Sequence, residues 1–278
     1  MTKYLFSFSA KEIIESNRTT AANIDNVRLW LTSQALPQLT DEQIAAFLLS
    51  CDNNEDMTRK TITSNYQLKC KFPELFTNRY LQDEKIAKIL RVVDGCEILV
   101  RHNGCAIILV RFNDTNYKNF DFFSFAKLVA VSLDVLVFDS IPPHGVIIIL
   151  DNRGWSIMHL TQLKLSVTNF FFRYIQEAIP IKLKAVHVIY SSYAVEAAYN
   201  FLKPFIKSDV MKNIYLHSAT NMELFYANHV PKKCLPEDYG GDLESVSVYH
   251  KHAIERIGKM EKYFEFEEQQ RHKVLEHG

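Results

Sequence analysis

The run Val146-Ile-Ile-Ile-Leu150 constrains the fold of this chain more than any other stretch. Its five consecutive apolar residues lack the alternation of a strand with one solvated face, so both faces of this strand must be covered. Long amphipathic stretches alternate with short β-rich runs on both sides of it. This alternation predicts an α/β fold in which a mixed, mostly parallel sheet is flanked by crossover helices.

The predicted elements of this α/β part are helices over 120–138, 159–178 and 194–205 and strands over 97–101, 105–112, 145–150, 185–189 and 214–216. An Asn103-Gly104 turn joins the first two strands into a hairpin.

The first 75 residues predict helices only, including one after a capping box from Thr40 to Gln43 and another over 57–69. We therefore divide the chain into a small all-helical N-terminal domain (1–80), an α/β domain (81–245) and a C-terminal helical tail (246–278). The tail is charged and has no core-sized apolar stripe after Ile257, so we expect it to pack peripherally.

Charge and cysteine content narrow the function classes. Lys plus Arg and Asp plus Glu each number 32, which gives no argument for nucleic acid as a partner. The five cysteines are odd in number and form no Cys-x-x-Cys pair, which is typical of reduced thiols inside a cell. No apolar run approaches the length of a membrane span, and the N-terminus does not resemble a signal peptide. We expect a monomeric cytoplasmic protein.

Motifs for catalysis and for metal or nucleotide binding are missing. The chain has no Gly-x-Gly-x-x-Gly pattern, and its ten histidines include no His-Glu-x-x-His. Ser191-Ser192 follows a predicted strand, but the glycines of a nucleophile elbow are absent, so N-capping by Ser192 is the favoured role. We predict no enzyme activity, no metal site and no cofactor.

Three ordered motifs resemble a known family: Gly145 to Trp155, Pro180 to Phe205 with its Lys-Pro-Phe end, and Leu235 to Gly241. Together they are similar to the CRAL-TRIO lipid-binding family, in the branch of alpha-tocopherol transfer protein and cellular retinaldehyde-binding protein. The resemblance covers about residues 20 to 245. It implies a sheet that forms the floor of an apolar pocket for one lipid, closed by a helix.

The resemblance also implies which residues line this pocket. Positions that match the family's pocket are Phe125, Leu128, Ser132, Val146, Leu150, Phe171, Tyr174, Ile181 and Val186. Ser132 and Tyr174 supply hydroxyls for a polar group of the ligand. Because Phe171 and Tyr174 are bulky, we expect a smaller or differently shaped cavity than one for vitamin E. Composition alone favours an ordinary filled core, and the motif order favours the pocket.

The helix over 194–205 is the predicted lid, with Val195, Ala198 and Phe201 on one face and Pro204 at its boundary. An ordinary helix that stops at Pro204 explains the same pattern. An apolar lid face covers the ligand when closed and can enter a bilayer surface when open.

A basic cleft for phosphoinositide headgroups is a further property that the resemblance implies. Lys69, Lys182 and Lys184 match its basic positions, Asp209 and Asn213 depart from it, and Lys207 and Lys212 lie nearby in the chain. Transient attraction to anionic membranes is favoured over a specific phosphoinositide site, and a solvated lysine face is the alternative.

The leading hypothesis is a carrier that holds one hydrophobic small molecule, such as a tocopherol or a retinoid, and transfers it between membranes. A lipid-sensing regulatory or scaffold module of the same fold is the main alternative, and an esterase that uses Ser191 or Ser192 is a distant third. The identity of the ligand is beyond the sequence.

Overall fold

A five-stranded mixed sheet lies at the centre of the computed structural model, which describes residues 5–275. Its strands are β1 (Val93–His102), β2 (Cys105–Phe112), β3 (Val146–Asp151), β4 (Leu183–Ile189) and β5 (Ile214–His217). They lie side by side in chain order; β1 and β2 are antiparallel, and the other neighbours are parallel. The predicted fold class is confirmed. The first four and last three residues of the predicted domains lie outside the described range.

The helices agree with the sequence pattern in most places. They are α1 (Ala10–Glu15), α2 (Ala21–Thr32), α3 (Asp41–Ser50), α4 (Glu55–Lys71), α5 (Pro73–Phe76), α6 (Glu84–Ile89), α7 (Phe122–Phe138), α8 (Leu165–Glu177), α9 (Tyr193–Leu202), α10 (Ser208–Met211), α11 (Met222–Asn228), α12 (Val246–Lys259) and α13 (Glu261–Leu275). The helix predicted over 159–178 divides into a 3-10 helix at Ile157–Gln162 and α8. The prediction over 194–205 likewise divides into α9 and a 3-10 helix at Lys203–Phe205.

The turn between β1 and β2 has the predicted chemistry. Asn103 and Gly104 have φ values of 51° and 74°, the left-handed backbone that a tight hairpin turn requires. The capping box of α3 is also present: the Gln43 N–H donates to Thr40 Oγ1 at 3.3 Å, and the Thr40 N–H donates to Gln43 Oε1 at 3.0 Å.

Both faces of β3 are covered, as the run of five apolar residues predicted. Val146 and Ile148 pack into an apolar cluster with side chains of α7 and α8. Ile147 and Ile149 point the other way, into a cluster with Phe225 of α11 and Val246 and Tyr249 of α12. A third cluster holds the N-terminal helices α1 to α4 together. The predicted domain limits at residues 80 and 245 stay predictions.

The C-terminal segment is not peripheral, so that expectation is wrong. Met260, Tyr263 and Phe264 are each at most 2% exposed and belong to the same cluster as α7 and α8. Glu267, Gln270 and Arg271 of α13 are buried as well. Helix α13 therefore forms part of the interior despite its polar composition.

A buried network of charges explains why a polar helix can be internal. Glu267 receives hydrogen bonds from Lys69 at 3.2 Å, from Arg271 at 2.9 Å and from Arg79. Arg79 also donates to Asp134 of α7 at 2.7 Å. Because each buried charge has an opposite partner, the helix enters the core without leaving an ion unpaired. Such long-range ion pairs leave no apolar stripe in the sequence.

The segment Leu235 to Gly241 forms a corner beside the sheet. Leu235 and Tyr239 are buried, as predicted, and the Tyr239 hydroxyl donates to Asp151 Oδ2 at 2.8 Å. Gly240 has a φ of 75°, in the left-handed region. A methyl group on Gly241 would overlap the carbonyl oxygens of Leu235 and Lys232. Glycine is thus needed at the two positions for different reasons. Gly240 adopts a left-handed backbone angle, and Gly241 lies too close to neighbouring carbonyl oxygens for a side chain.

Candidate functional site

The predicted lining residues come from five segments that surround one face of the sheet. Phe125, Leu128 and Ser132 lie on α7, Val146 and Leu150 on β3, Phe171 and Tyr174 on α8, Ile181 and Val186 at or before β4, and Val195, Ala198 and Phe201 on α9. The structure brings six of them into one apolar cluster: Phe125, Leu128, Val146, Phe171, Tyr174 and Ile181. Leu150 and Val186 are half-buried, and Ser132 is exposed.

Aromatic rings occupy the centre of this region. The ring of Phe125 lies 5.7 Å from Phe120 and 6.4 Å from Phe171, measured between ring centres. Phe171 also meets Phe122 edge to face at 5.5 Å. Contacts of this kind fill space efficiently. In this conformation the rings pack against each other at the position where the family resemblance predicts a lipid.

Two buried ring nitrogens lie next to these rings without a hydrogen-bond partner among the described residues. They are Nε1 of Trp155 and Nε2 of His159, whose rings stack at 4.7 Å. His159 lies 5.9 Å from Phe120, and burial lowers the pKa of its imidazole. Unpartnered buried polar atoms are costly and uncommon in folded proteins, so this pair is distinctive. Neither residue was predicted from the sequence, although Trp155 ends the motif that begins at Gly145.

The two predicted hydroxyl anchors lie in different environments. Ser132 is exposed on α7. Tyr174 is 2% exposed, and its ring packs against Phe76 of α5 at 4.9 Å. Its hydroxyl has no hydrogen-bond partner among residues 5–275, and burial raises its pKa well above the usual value. Tyr174 therefore faces the N-terminal helices.

Helix α9 buries one side and exposes the other. Val195 and Ala198 are buried, whereas Phe201 is 41% and Tyr193 is 86% exposed. Ser192 occupies the N-cap position, as predicted, but its side chain makes no capping hydrogen bond. The helix contacts the 3-10 helix at Ile157–Gln162. None of the described helices is long and apolar enough to span a bilayer.

Four of the five predicted lipid-binding lysines lie at the surface near the β4–β5 edge. Lys184 and Lys212 are exposed, and the hydrogen bond from Val186 N–H to the Asn213 carbonyl (2.8 Å) joins the two segments that carry them. Lys182 pairs with Asp52, and Lys207 pairs with Glu177 at 3.1 Å. Lys184 and Lys212 are therefore the better candidates for an anionic surface.

Lys69 does not belong to this surface, so its predicted role needs correction. Its side chain is 4% exposed and its ammonium lies 3.2 Å from Glu267 and 3.7 Å from Asp134. A lipid headgroup cannot reach it in this conformation. Lys69 instead belongs to the buried charge network of Glu267 and Asp134.

Two other features lie away from the predicted lining. An open groove of about 480 Å³ among the N-terminal helices is bordered by Ala35, Leu36, Pro37, Tyr66, Gln67, Cys70, Lys71 and Arg271. Three histidines, His187, His217 and His229, meet on the opposite face of the sheet, with one ring nitrogen of each within 4.8 Å of the others.

Comparison with known proteins finds relatives of low sequence identity. The chain is 25% identical over 207 residues to Clavesin-1 from Xenopus laevis. The aligned region covers 73% of this chain and 61% of that protein. It is 22% identical over 207 residues to alpha-tocopherol transfer protein-like from Homo sapiens, over 73% of this chain and 59% of that protein. The chain thus spans about three fifths of the length of these relatives.

A solved structure and a family model were also matched. The crystal structure of Sfh5 aligns with a TM-score of 0.48 and 12% identity, over 88% of this chain and 92% of that one. The CRAL/TRIO domain model matches residues 100–241, just over half of the chain, from the β1–β2 hairpin to the Gly240-Gly241 corner. The chain therefore belongs to the CRAL/TRIO domain family.

Proposed function

We propose that this chain binds one hydrophobic, lipid-like molecule between the sheet and helices α7, α8 and α9, and carries it between membranes. The observation that carries the proposal is the convergence of Phe125, Leu128, Val146, Phe171 and Ile181 in one apolar cluster. A tocopherol, a retinoid or another lipid of similar shape fits this chemistry, and one relative has alpha-tocopherol transfer in its name. The proposed work is binding and release, so no catalytic residue is required.

Ligand entry requires the aromatic rings to turn aside. Phe125 and Phe171 contact each other through their rings, and α9 lies next to a 3-10 helix that contains Pro204. We infer that α9 moves as a lid about this break while the rings rotate. Apolar burial of the ligand, at roughly 25 cal/mol per Å², offsets the lost ring contacts.

The polar end of the ligand is assigned to Trp155 and His159. Their nitrogens are buried and unpartnered within the described part of the chain, and the ring of Phe120 links them to Phe125. A hydroxyl or carbonyl oxygen can accept from Trp155 Nε1, which is a donor only. This assignment replaces Ser132 and Tyr174 as the primary polar contacts.

Membrane contact is assigned to the surface around α9. Tyr193 and Phe201 are exposed on α9, and Ile157 and Met158 are 48% and 43% exposed on the 3-10 helix that contacts it. Exposed apolar side chains of this size can enter the headgroup region of a bilayer. Lys184 and Lys212 add attraction to anionic lipids.

The direct test is mass spectrometry of organic extracts from the purified protein, together with uptake of a fluorescent tocopherol from vesicles. A stoichiometric lipid or saturable uptake is expected. The matched variants are Phe171→Leu and Phe170→Leu, because these neighbours on α8 face different partners: Phe171 meets Phe122 and Phe125, whereas Phe170 meets Phe72 and Phe76. Only Phe171→Leu should change uptake. Absence of both lipid and uptake contradicts the proposal.

The alternative is a lipid-sensing regulatory or scaffold module of the same fold. Such a protein binds its lipid but need not release it to a second membrane. Transfer of labelled ligand from donor to acceptor vesicles separates the two: a carrier accelerates transfer in proportion to protein concentration, and a sensor retains the ligand.

A further inference from the structure

Three histidines from separate segments meet at the sheet edge away from the proposed lipid site. His187 lies on β4, His217 ends β5, and His229 follows α11 directly. In the parallel β4–β5 pair, His187 is opposite Tyr215 and Ile189 is opposite His217. Because residues two apart share a face, both histidines point to the side covered by α11. Strand pairing therefore fixes their relative position.

The distances between the rings suit a metal ion. His187 Nδ1 and His217 Nε2 are 3.1 Å apart, and one nitrogen from each of the three rings lies within 4.8 Å of the others. Ligand nitrogens about 2 Å from a tetrahedral ion lie about 3.3 Å from one another. The first pair already has this spacing, and a ring nitrogen of His229 lies within 4.8 Å of both.

The histidine rings lie in apolar, aromatic surroundings that hold the side chains in place. His187 and His217 are 2% and 8% exposed, and Phe225 packs within 5.3 Å and 5.0 Å of their ring centres. Tyr215 stacks on His187 at 5.1 Å.

We propose that His187, His217 and His229 bind one divalent transition-metal ion, of which Zn²⁺ is the first to test. Imidazole suits this class of ion, and three protein ligands leave one tetrahedral position for water or another small ligand. The ion would join the edge strand β5 to β4 and to the end of α11. The prediction of no metal site was based on the spacing of histidines along the sequence. These three residues are far apart there and meet only in the folded chain. This proposal is independent of lipid binding.

The test uses the full chain after treatment with a chelator. One equivalent of Co²⁺ should produce the visible absorption of a four-coordinate ion, and Zn²⁺ should displace it. Zn²⁺ should also raise the melting temperature, because an ion that binds only the folded state stabilises it. His229→Gln and His217→Gln should each weaken binding about tenfold or more. His252→Gln, at an exposed position on α12, should bind as the unsubstituted protein does.

Two results overturn the proposal. One is a lack of stoichiometric Co²⁺ or Zn²⁺ uptake by the unsubstituted protein, in which case the rings are joined only by the His187–His217 hydrogen bond. The other is uptake that persists unchanged in folded His217→Gln and His229→Gln variants. If a variant fails to fold, histidine ¹⁵N resonances of the unsubstituted protein decide the matter: three ring systems must shift together on addition of Zn²⁺.

Discussion

Arg79 donates a hydrogen bond of 2.7 Å to Asp134, and both side chains are at most 3% exposed. A second nitrogen of the same guanidinium reaches Glu267 and the carbonyl oxygen of Phe264. Arg79 therefore joins α7 to α13, and its charge is balanced only when both helices are in place. Removal of either carboxylate leaves a buried cation without full compensation.

Neutralisation of Glu267 should destabilise the protein strongly. Glu267→Gln keeps the shape of the side chain. Among the described ion pairs, it leaves Lys69, Arg79 and Arg271 with Asp134 and the partly exposed Glu268 as carboxylate partners. The expected loss is about 3 to 5 kcal/mol in the free energy of unfolding, measured by urea denaturation. Glu265→Gln, at an exposed position on the same helix, should change it by less than about 0.5 kcal/mol. Equal effects of the two substitutions are incompatible with the network described.

Glu267 should also make the protein sensitive to acid. Burial raises the pKa of this carboxyl, but Lys69, Arg79 and Arg271 lower it to about 2, below the ordinary value of 4.5. Its contribution to stability is thus complete above pH 4.5 and is lost as the pH falls from there towards 2. Urea midpoints between pH 6 and pH 2.5 should fall more steeply for Glu265→Gln than for Glu267→Gln. If the urea midpoints of both variants fall equally steeply with pH, a group other than Glu267 causes the loss of stability between pH 6 and pH 2.5.

The two glycines of the corner should differ in their tolerance of alanine. Gly241→Ala drives a methyl group into the backbone carbonyls of Leu235 and Lys232, whereas a methyl group on Gly240 meets no atom within 4 Å. We expect a loss of about 3 kcal/mol for Gly241→Ala, from overpacking, and about 1 kcal/mol for Gly240→Ala, from its left-handed backbone. Gly240→Asn should be milder still. Thermal melts of the three variants measure the order, and the reverse order contradicts the corner geometry.

Lys184 and Lys212 should contribute to membrane attraction. The double substitution Lys184→Gln/Lys212→Gln should weaken binding to phosphatidylserine vesicles by roughly 2 kcal/mol, or about thirtyfold, at low salt. Lys251→Gln/Lys262→Gln removes the same charge from exposed positions on α12 and α13 and should have a smaller effect. The difference should shrink as salt is added. If the two double variants bind vesicles equally well, Lys184 and Lys212 have no special role in membrane attraction.

Sequence patterns predicted the sheet because local rules and tertiary packing agree there. The apolar run of β3, the Asn103-Gly104 turn and the capping box of α3 each have a local cause, and each is present. The burial of α13 was missed because its inward side chains include Glu267 and Arg271, whose partners Lys69, Arg79 and Phe76 are distant in the chain. Long-range charge pairing leaves no periodic apolar stripe.

The candidate site was predicted less completely than the fold. Apolar residues such as Leu128 and Val146 do meet, since helix and strand periodicity determine which way they point. The environments of Ser132 and Lys69 depend on neighbouring helices and could not be inferred. His187 and His217 did carry a usable signal: His187 interrupts the apolar strand β4 and His217 ends β5. An inward polar side chain at such a position needs a partner.

The pairing of Arg79 with a carboxylate 188 residues later also has a consequence for synthesis. A nascent chain folds its earlier parts first. Asp134 alone balances one of the two charges of Lys69 and Arg79, so we expect their full enclosure only after Glu267 has emerged from the ribosome. We therefore expect the N-terminal helices and the sheet to complete their packing late in synthesis. Chaperone dependence should fall once residue 267 has emerged from the ribosome.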